Sequence, residues 1–218
     1  AGSALLPDID CPTSTVARSF GIASVAASHV VDTAAAGVYN LTKGPKDEPR
    51  TSGHRTLTHT ALFTVTLGFL VAILAASVGK YAVIGTLFIT VGLAIRGLMA
   101  DWAKREGWLA TTAAALAAAV LAWVTLPQDN YWWLGLAVGL GASMHLLGDM
   151  ITKNGCPILA PFSFRGRRWW ELTLPSLLRI RAGGWFEWTL LLPAVTAVAV
   201  IGAMQVYTPG LFTDLVGL

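Results

Sequence analysis

Residues 60–79 read TALFTVTLGFLVAILAASVG, a run of 20 positions without a charged side chain. At about 1.5 Å of rise per residue, a helix of this length covers a hydrocarbon core of roughly 30 Å. Such a run must cross lipid as a helix, because an open strand leaves its backbone hydrogen bonds unsatisfied there. The stretch therefore predicts a membrane protein.

Four more apolar runs of similar length follow this one along the chain. Hydrophobic residues make up 55% of the sequence and charged residues 12%, whereas a soluble domain carries roughly a quarter charged residues. This composition excludes an ordinary soluble protein. We predict an all-α, polytopic bundle that forms a single domain over residues 1–218. Its five predicted transmembrane spans are 60–79, 81–100, 108–126, 131–150 and 185–207.

The basic residues lie almost entirely on one side of these spans. Of the 15 Lys and Arg residues, all but Lys80 fall before the first span, in the links after positions 100 and 150, or at a helix end on that side. By the positive-inside rule this side is cytoplasmic. The loops at Lys104 and Arg168 are therefore expected in the cytoplasm, with Gln128 and Leu218 on the opposite side.

Two other segments are expected at the membrane surface. Residues 15–40 are apolar but carry several serines, His29 and Asp32, and both ends join motifs assigned below to the cytoplasmic face. This pattern predicts an interfacial or re-entrant helix. The arginine-rich segment 153–184 is typical of a basic loop on anionic headgroups, and its Trp169–Trp170 pair is expected in the interfacial belt.

Most side chains able to bind a metal fall into three motifs: PDID at 7–10, HRTLTH at 54–59 and HLLGD at 145–149. In the first motif, two carboxylates separated by one residue can converge within a Pro-flanked turn. In the third, His145 and Asp149 are four residues apart and so share one face of a helix. A structural polar pair between packed helices is the alternative for these last two residues.

The second motif spaces its histidines differently. His54 and His59 are five residues apart, too far round for one helix face, so one of them is expected on the loop entering the helix. Thr56 or Thr58 is expected near the helix cap. All three motifs fall at the cytoplasmic end of the predicted topology. Nitrogen and oxygen ligands in this number suit one or two divalent ions, with Zn, Mn or Fe favoured over Ca or K.

Three further charged residues are candidates for catalysis. Arg55 and Arg18 are the cations best placed to hold an anionic substrate, although either can instead bind lipid headgroups. Glu187 lies in GGWFEW at the cytoplasmic end of the last span, where it can accept a hydrogen bond from a ligand histidine or act as a general base. Cys11 is either a soft ligand or a small buried thiol.

The ordered motifs LLPDIDCP, HRTLTHT and HLLGDMITKNGCPILAPF resemble the YdjM-like family of membrane-bound metal-dependent hydrolases, also described as LexA-binding inner-membrane hydrolases. The family pattern looks like LLPDIDHP, HRGxTHS and SHLxxDxxTPxGVPLLWP, with a Glu after the basic loop. Cys11, Leu57 and Thr60 depart from it, standing where the family often has His, Gly and Ser. The resemblance runs from Leu5 to about Glu187. It implies six metal ligands, which are Asp8, Asp10, His54, His59, His145 and Asp149.

The resemblance also implies an inner-membrane location and a helix before the PDID motif, which we expect to be missing from this sequence. The leading hypothesis is a metal-dependent hydrolase with its site facing the cytoplasm, which uses metal-activated water on a phosphoester or similar bond of a lipid or lipid-linked substrate. Membrane lipids are the other expected partners; no nucleic-acid ligand is expected, and the oligomeric state is left open.

Two other classes of protein are also compatible with this sequence. A divalent-metal transporter or sensor also carries His and Asp within its membrane helices. The halves of the spans away from the motifs, such as GFLVAILAASVG at 68–79, are almost entirely apolar, which favours a one-sided site. A non-enzymatic regulatory protein would bind its partner through the long basic loop.

Overall fold

The computed structural model describes residues 2–126 and 130–176, together with positions 179, 189 and 197. Within these residues the chain is helical, and its only β-pairing consists of isolated bridges. Two 3-10 helices cover Gly2–Asp10 and Leu57–His59. The five α-helices are α1 (Ile22–Thr42), α2 (Ala61–Val78), α3 (Lys80–Leu98), α4 (Ala100–Thr125) and α5 (Trp133–Ile151).

Helices α2 to α5 are each long and apolar enough to cross a membrane. They correspond to four of the five predicted spans. The fifth, 185–207, lies outside the described residues apart from two isolated positions. Helix α4 begins eight residues earlier than predicted, but Gly107 has a φ of 83° and breaks it, so its membrane-length part still starts near Trp108.

The predicted surface helix begins later than expected. The prediction was 15–40, whereas α1 begins at Ile22, because Gly21 takes a left-handed φ of 67° and the residues before it form turns. The Trp108 ring lies against Gly21, and Tyr39 near the other end of α1 packs on Trp169 of the loop after α5. Both ends of α1 thus lie at the same end of the bundle.

The paired tryptophans do not form an exposed belt. Trp169 is only 6% exposed, packs on Tyr39 and donates its indole N–H to Thr42 Oγ1. Trp170 is half-buried and donates its indole N–H to the Phe162 carbonyl. The prediction that both indoles lie at the lipid interface was therefore wrong for Trp169, because its ring has a partner within the protein.

Among the described spans, α2 and α5 pack closely against each other. Gly68 lies against Gly135 and Gly139, so the two backbones approach at a distance that a side chain would prevent. Near the end of this contact, the Ser143 hydroxyl donates to Thr64 Oγ1 at 3.1 Å. The contact fixes the start of α2 beside the end of α5.

The 3-10 helix Gly2–Asp10 is inserted between α3 and α5. Gly2 lies directly against the Thr90 carbonyl of α3, and Ser3 contacts Gly141 of α5. The insertion carries the PDID motif to the same end of the bundle as the last turn of α5. At the opposite end of the bundle, the buried Ala75, Val83, Tyr131 and Leu134 form an apolar cluster.

Candidate metal centre

Three pieces of chain meet at the centre. The first is the end of the inserted 3-10 helix, which supplies Asp8 and Asp10. The second is the segment before α2, where His54 lies on a loop and His59 ends a single 3-10 turn. The third is the last part of α5, where His145 and Asp149 share one helix face, as their spacing predicts.

Four side-chain atoms from these pieces face one another. Asp8 Oδ1 lies 3.7 Å from His59 Nε2 and 3.5 Å from His145 Nε2. Asp149 Oδ2 lies 3.5 Å from His59 Nε2 and 3.8 Å from His145 Nε2. Zinc bonds of about 2.0–2.2 Å to nitrogen and oxygen separate the ligand atoms of a tetrahedron by about 3.3–3.6 Å. The observed separations are close to that spacing.

Three of these four atoms are buried without a hydrogen-bond partner. They are His59 Nε2, His145 Nε2 and Asp149 Oδ2. Buried polar atoms in proteins are normally satisfied, and an unsatisfied one costs about 1–3 kcal/mol. A divalent cation bound by two imidazole nitrogens and two carboxylate oxygens would satisfy all three, so the residues present fit such a cation.

Asp10 lies beside this group of four and holds it in place. Its carboxylate is fully buried, with Oδ2 3.3 Å from His59 Nδ1 and Oδ1 2.9 Å from His54 Nδ1. Oδ2 also accepts hydrogen bonds from the Thr58 hydroxyl and the Arg55 backbone N–H. A carboxylate on Nδ1 fixes the histidine tautomer that leaves Nε2 free for a metal.

The structure also forms a second group with three possible ligands. One ligand atom each from Asp8, Asp10 and His54 lies within 4.8 Å of the others. Asp8 belongs to both groups, so two cations sharing its carboxylate also suit the arrangement. All six residues expected to bind metal therefore lie together, but they form two overlapping groups and not a single shell of six.

In the metal-free protein, electrostatics favour the ionised forms of Asp8 and Asp10 and the protonated form of His59. Burial raises the pKa of Asp8, but the attraction of the nearby His145 and His59 imidazoles outweighs it and leaves this pKa well below its usual range. The pKa of Asp10 is lowered in the same way, by His54 and His59 against burial. Burial lowers the pKa of His59, yet Asp10 and Asp8 raise it to about 9.

Arg55 points into the protein rather than towards solvent. Its Nη2 donates to Asp149 Oδ1 at 2.8 Å and its Nη1 donates to the Gly155 carbonyl. The backbone of Arg55 has a φ of 56°, which is uncommon for a residue with a side chain. These contacts orient Asp149 so that its other oxygen, Oδ2, faces the two histidines.

The remaining sequence candidates lie elsewhere. The exposed Arg18 lines a groove with Ile22 and Trp108, and its carbonyl accepts a hydrogen bond from Arg96. The structure therefore does not place Arg18 with the histidines and aspartates. His29 is exposed on α1. Glu187 lies outside the described residues.

Both cysteines are separate from the two ligand groups. Cys11 is half-buried, and its thiol contacts Thr13 Oγ1. Cys156 is buried near the centre and its thiol donates to the Leu146 carbonyl. Burial, followed by the charge of Asp149, raises the pKa of the Cys156 thiol to about 12. The hydrogen bond to Leu146 directs the Cys156 thiol away from both ligand groups.

The threonines before α2 lie near its cap, as expected. Thr60 is the N-cap of α2 and accepts a hydrogen bond from the Phe63 backbone N–H, and Thr56 is the residue before the 3-10 turn Leu57–His59. Thr58 bonds Asp10, a role that the sequence did not reveal because it depends on the inserted 3-10 helix. Asp32, expected on the surface helix, has a structural role that the sequence did not reveal: it accepts a hydrogen bond from the Gly53 N–H and holds the loop before His54.

A comparison with known protein families identifies the family of this chain. The family model described as YdjM inner membrane protein matches residues 1–110 and 108–208, which together are well over half of the chain. No curated protein matches the chain, and no solved structure matches it. The two matched segments contain every residue of the metal centre.

Proposed function

We propose, since the chain belongs to the YdjM family of inner membrane proteins, that it is a membrane-embedded metal-dependent hydrolase. Its site opens at the cytoplasmic face and acts on a phosphoester or similar bond of a lipid or lipid-linked substrate. The observation that carries the proposal is the set of four facing atoms, three of them buried without a hydrogen-bond partner. The basic residues around the same end of the bundle support the cytoplasmic orientation.

Zinc is the cation that we favour, with manganese or iron as alternatives. Two imidazoles and two carboxylates make a borderline donor set, and the spacing of the four atoms suits a tetrahedron. A divalent cation there would lower the pKa of a water molecule and polarise a phosphoryl or carbonyl oxygen.

The protein's own side chains have distinct roles in binding the cation, orienting its ligands and accepting a proton. Asp8, His59, His145 and Asp149 hold the cation, and Asp10 fixes the tautomer of His59. Arg55 orients Asp149; because a guanidinium has five N–H groups, it can also contact an anionic substrate. In this proposal a ligand carboxylate or Glu187 accepts the proton of the attacking water.

The shape of the site favours hydrolysis over metal transport. The Asp8 and His54 side chains are 30% and 37% exposed, so the centre is reached from its own end of the bundle. At the other end, the described helices pack through the apolar Ala75, Val83 and Leu134. A transport pathway needs polar side chains through both halves of the membrane.

The test compares His145→Ala with His29→Ala, an exposed histidine on α1 that serves as the matched control. Purified proteins are assayed for bound zinc and manganese and for phosphate release from phosphatidic acid and from a polyprenyl diphosphate in mixed micelles. We expect loss of both metal and hydrolysis in His145→Ala, with neither changed in His29→Ala. A chelator should abolish the activity and stoichiometric metal should restore it.

Two results would count against the proposal. Full metal content in His145→Ala would remove this residue from the centre. Normal metal content in the unaltered protein, with zinc uptake into proteoliposomes and no hydrolysis of either lipid, would establish the transporter instead.

A further inference from the structure

The loop after α5 contains a tight turn whose exposed side chains are aromatic and basic. Phe164 and Arg167 exchange backbone hydrogen bonds of 2.8 and 3.0 Å, which close the turn. Phe162 is 75% exposed and Phe164 51% exposed. Two large aromatic side chains exposed within one turn are unfavourable in water and mark a contact surface.

Two exposed arginines follow these phenylalanines in the same turn. Arg165 and Arg167 are both exposed, and the Arg165 guanidinium lies 5.2 Å from the centre of the Phe164 ring. We call Phe162, Phe164, Arg165 and Arg167 the aromatic–basic turn. A surface that combines aromatic rings with arginines suits the interface between lipid headgroups and acyl chains.

The turn is held firmly on the rest of the protein. Asp47 Oδ2 accepts hydrogen bonds from the backbone N–H groups of Arg168 and Trp169. The Trp169 indole is buried against Tyr39 of α1. The aromatic–basic turn is therefore presented on an ordered support, and docking it costs little conformational entropy.

The same loop is fixed at the ends of two membrane helices. The Ala61 N–H at the start of α2 donates to the Ile158 carbonyl at 2.8 Å. The Leu174 N–H donates to the Met150 carbonyl near the end of α5 at 3.0 Å. Because the ends of spanning helices lie at the level of the headgroups, these bonds bring the loop close to the membrane surface.

We propose that the aromatic–basic turn docks onto anionic phospholipid headgroups of the membrane in which α2 to α5 lie. The arginines bind lipid phosphates, and the two phenylalanines insert between the headgroups. The exposed rings favour this occupant over a soluble acidic protein, which would satisfy only the arginines.

The experiment measures the depth of a spin label in lipid nanodiscs. The label is attached through Ser163→Cys, an exposed position between the two phenylalanines, in a full-length Cys11→Ser background. Collisions with oxygen and with a water-soluble nickel chelate are compared in phosphatidylcholine discs with and without phosphatidylglycerol. We expect the label to become less accessible to nickel and more accessible to oxygen when phosphatidylglycerol is present.

A matched pair of charge variants identifies the residues responsible. Arg165→Gln with Arg167→Gln should abolish the effect of phosphatidylglycerol. Lys104→Gln with Arg105→Gln removes the same charge from the first part of α4, before its break at Gly107, and should leave the effect intact. Metal content should be unchanged in both pairs, which separates this proposal from the function of the centre.

A label that stays fully accessible to nickel in both kinds of disc would overturn the proposal. The surface would then face the aqueous phase and would be better explained by a soluble acidic partner. Equal loss of the lipid effect in both charge pairs would also overturn it, because the effect would then reflect total charge.

Discussion

Asp10 is the residue on which the order of the metal centre depends most. Its two oxygens face His54 and His59 and accept from Thr58 and the Arg55 backbone, yet neither oxygen belongs to the group of four facing atoms. Its main role is thus to orient ligands, whereas Asp8 faces both His59 and His145 directly.

Asparagine at these two positions should have different effects. In Asp10→Asn, the uncharged side chain holds His59 less firmly, and the affinity for zinc should fall about 10- to 100-fold without being lost. Asp8→Asn should remove stoichiometric binding, because a direct ligand is lost. Competition titrations with a zinc chelator measure both. Equal losses in the two variants would place Asp10 among the direct ligands.

The protonation of His59 predicts a pH dependence of stability. Its pKa in the metal-free protein is raised from 6.5 to about 9. A raised pKa contributes stability that is complete below pH 6.5 and is lost as the pH rises through about 9. The unfolding temperature of the metal-free protein should therefore decline over this interval.

The stabilisation caused by bound zinc should show the opposite dependence on pH. Because zinc must displace the proton of His59, the rise in unfolding temperature caused by stoichiometric zinc should increase from pH 6.5 to 9. In His59→Gln the metal-free decline should be reduced, since the titrating group is absent. A zinc effect that is constant over this pH range in the unaltered protein would contradict the assigned proton.

At the scale of elements, the contact between α2 and α5 brings the histidines together. A side chain at Gly135 would place its Cβ 2.3 Å from the Gly68 carbonyl. Gly135→Leu should therefore separate the helices at a cost of about 1–3 kcal/mol or more. We expect a lower unfolding temperature together with loss of bound zinc.

Gly85→Leu in α3 is the control for this prediction. A Cβ at Gly85 meets nothing within 4 Å, so the variant should keep both its stability and its metal. The unfolding temperature and metal content of both detergent-purified variants are measured side by side. Unchanged metal binding in Gly135→Leu would show that the helix contact does not position the centre.

The sequence was sufficient to predict the described spans, because apolar length alone decides what crosses a bilayer. It also predicted the pairing of His145 with Asp149, since both lie on one helix. The roles of Asp10 and Thr58 could not be predicted. They depend on the insertion of Gly2–Asp10 between two helices, which is a matter of tertiary packing.

For the whole molecule, the asymmetric distribution of basic residues predicts the orientation in the membrane. Cysteines placed at Lys104 and Arg168 should react with a membrane-impermeant reagent only from the cytoplasmic side. A cysteine at Asn130, at the opposite end of the bundle, should react only from outside. Labelling is done in intact cells and inverted vesicles, in the Cys11→Ser background. Reaction of the Asn130 position from the cytoplasm alone would reverse the topology.

Binding of one divalent cation by Asp8, His59, His145 and Asp149 can be tested by X-ray absorption spectroscopy of the protein loaded with one equivalent of zinc. We expect only nitrogen and oxygen ligands at about 2.0–2.2 Å, with the scattering pattern of two imidazoles. His145→Ala should lose the zinc. A sulfur ligand at about 2.3 Å, or a spectrum with no imidazole, would show that these four side chains do not bind the ion.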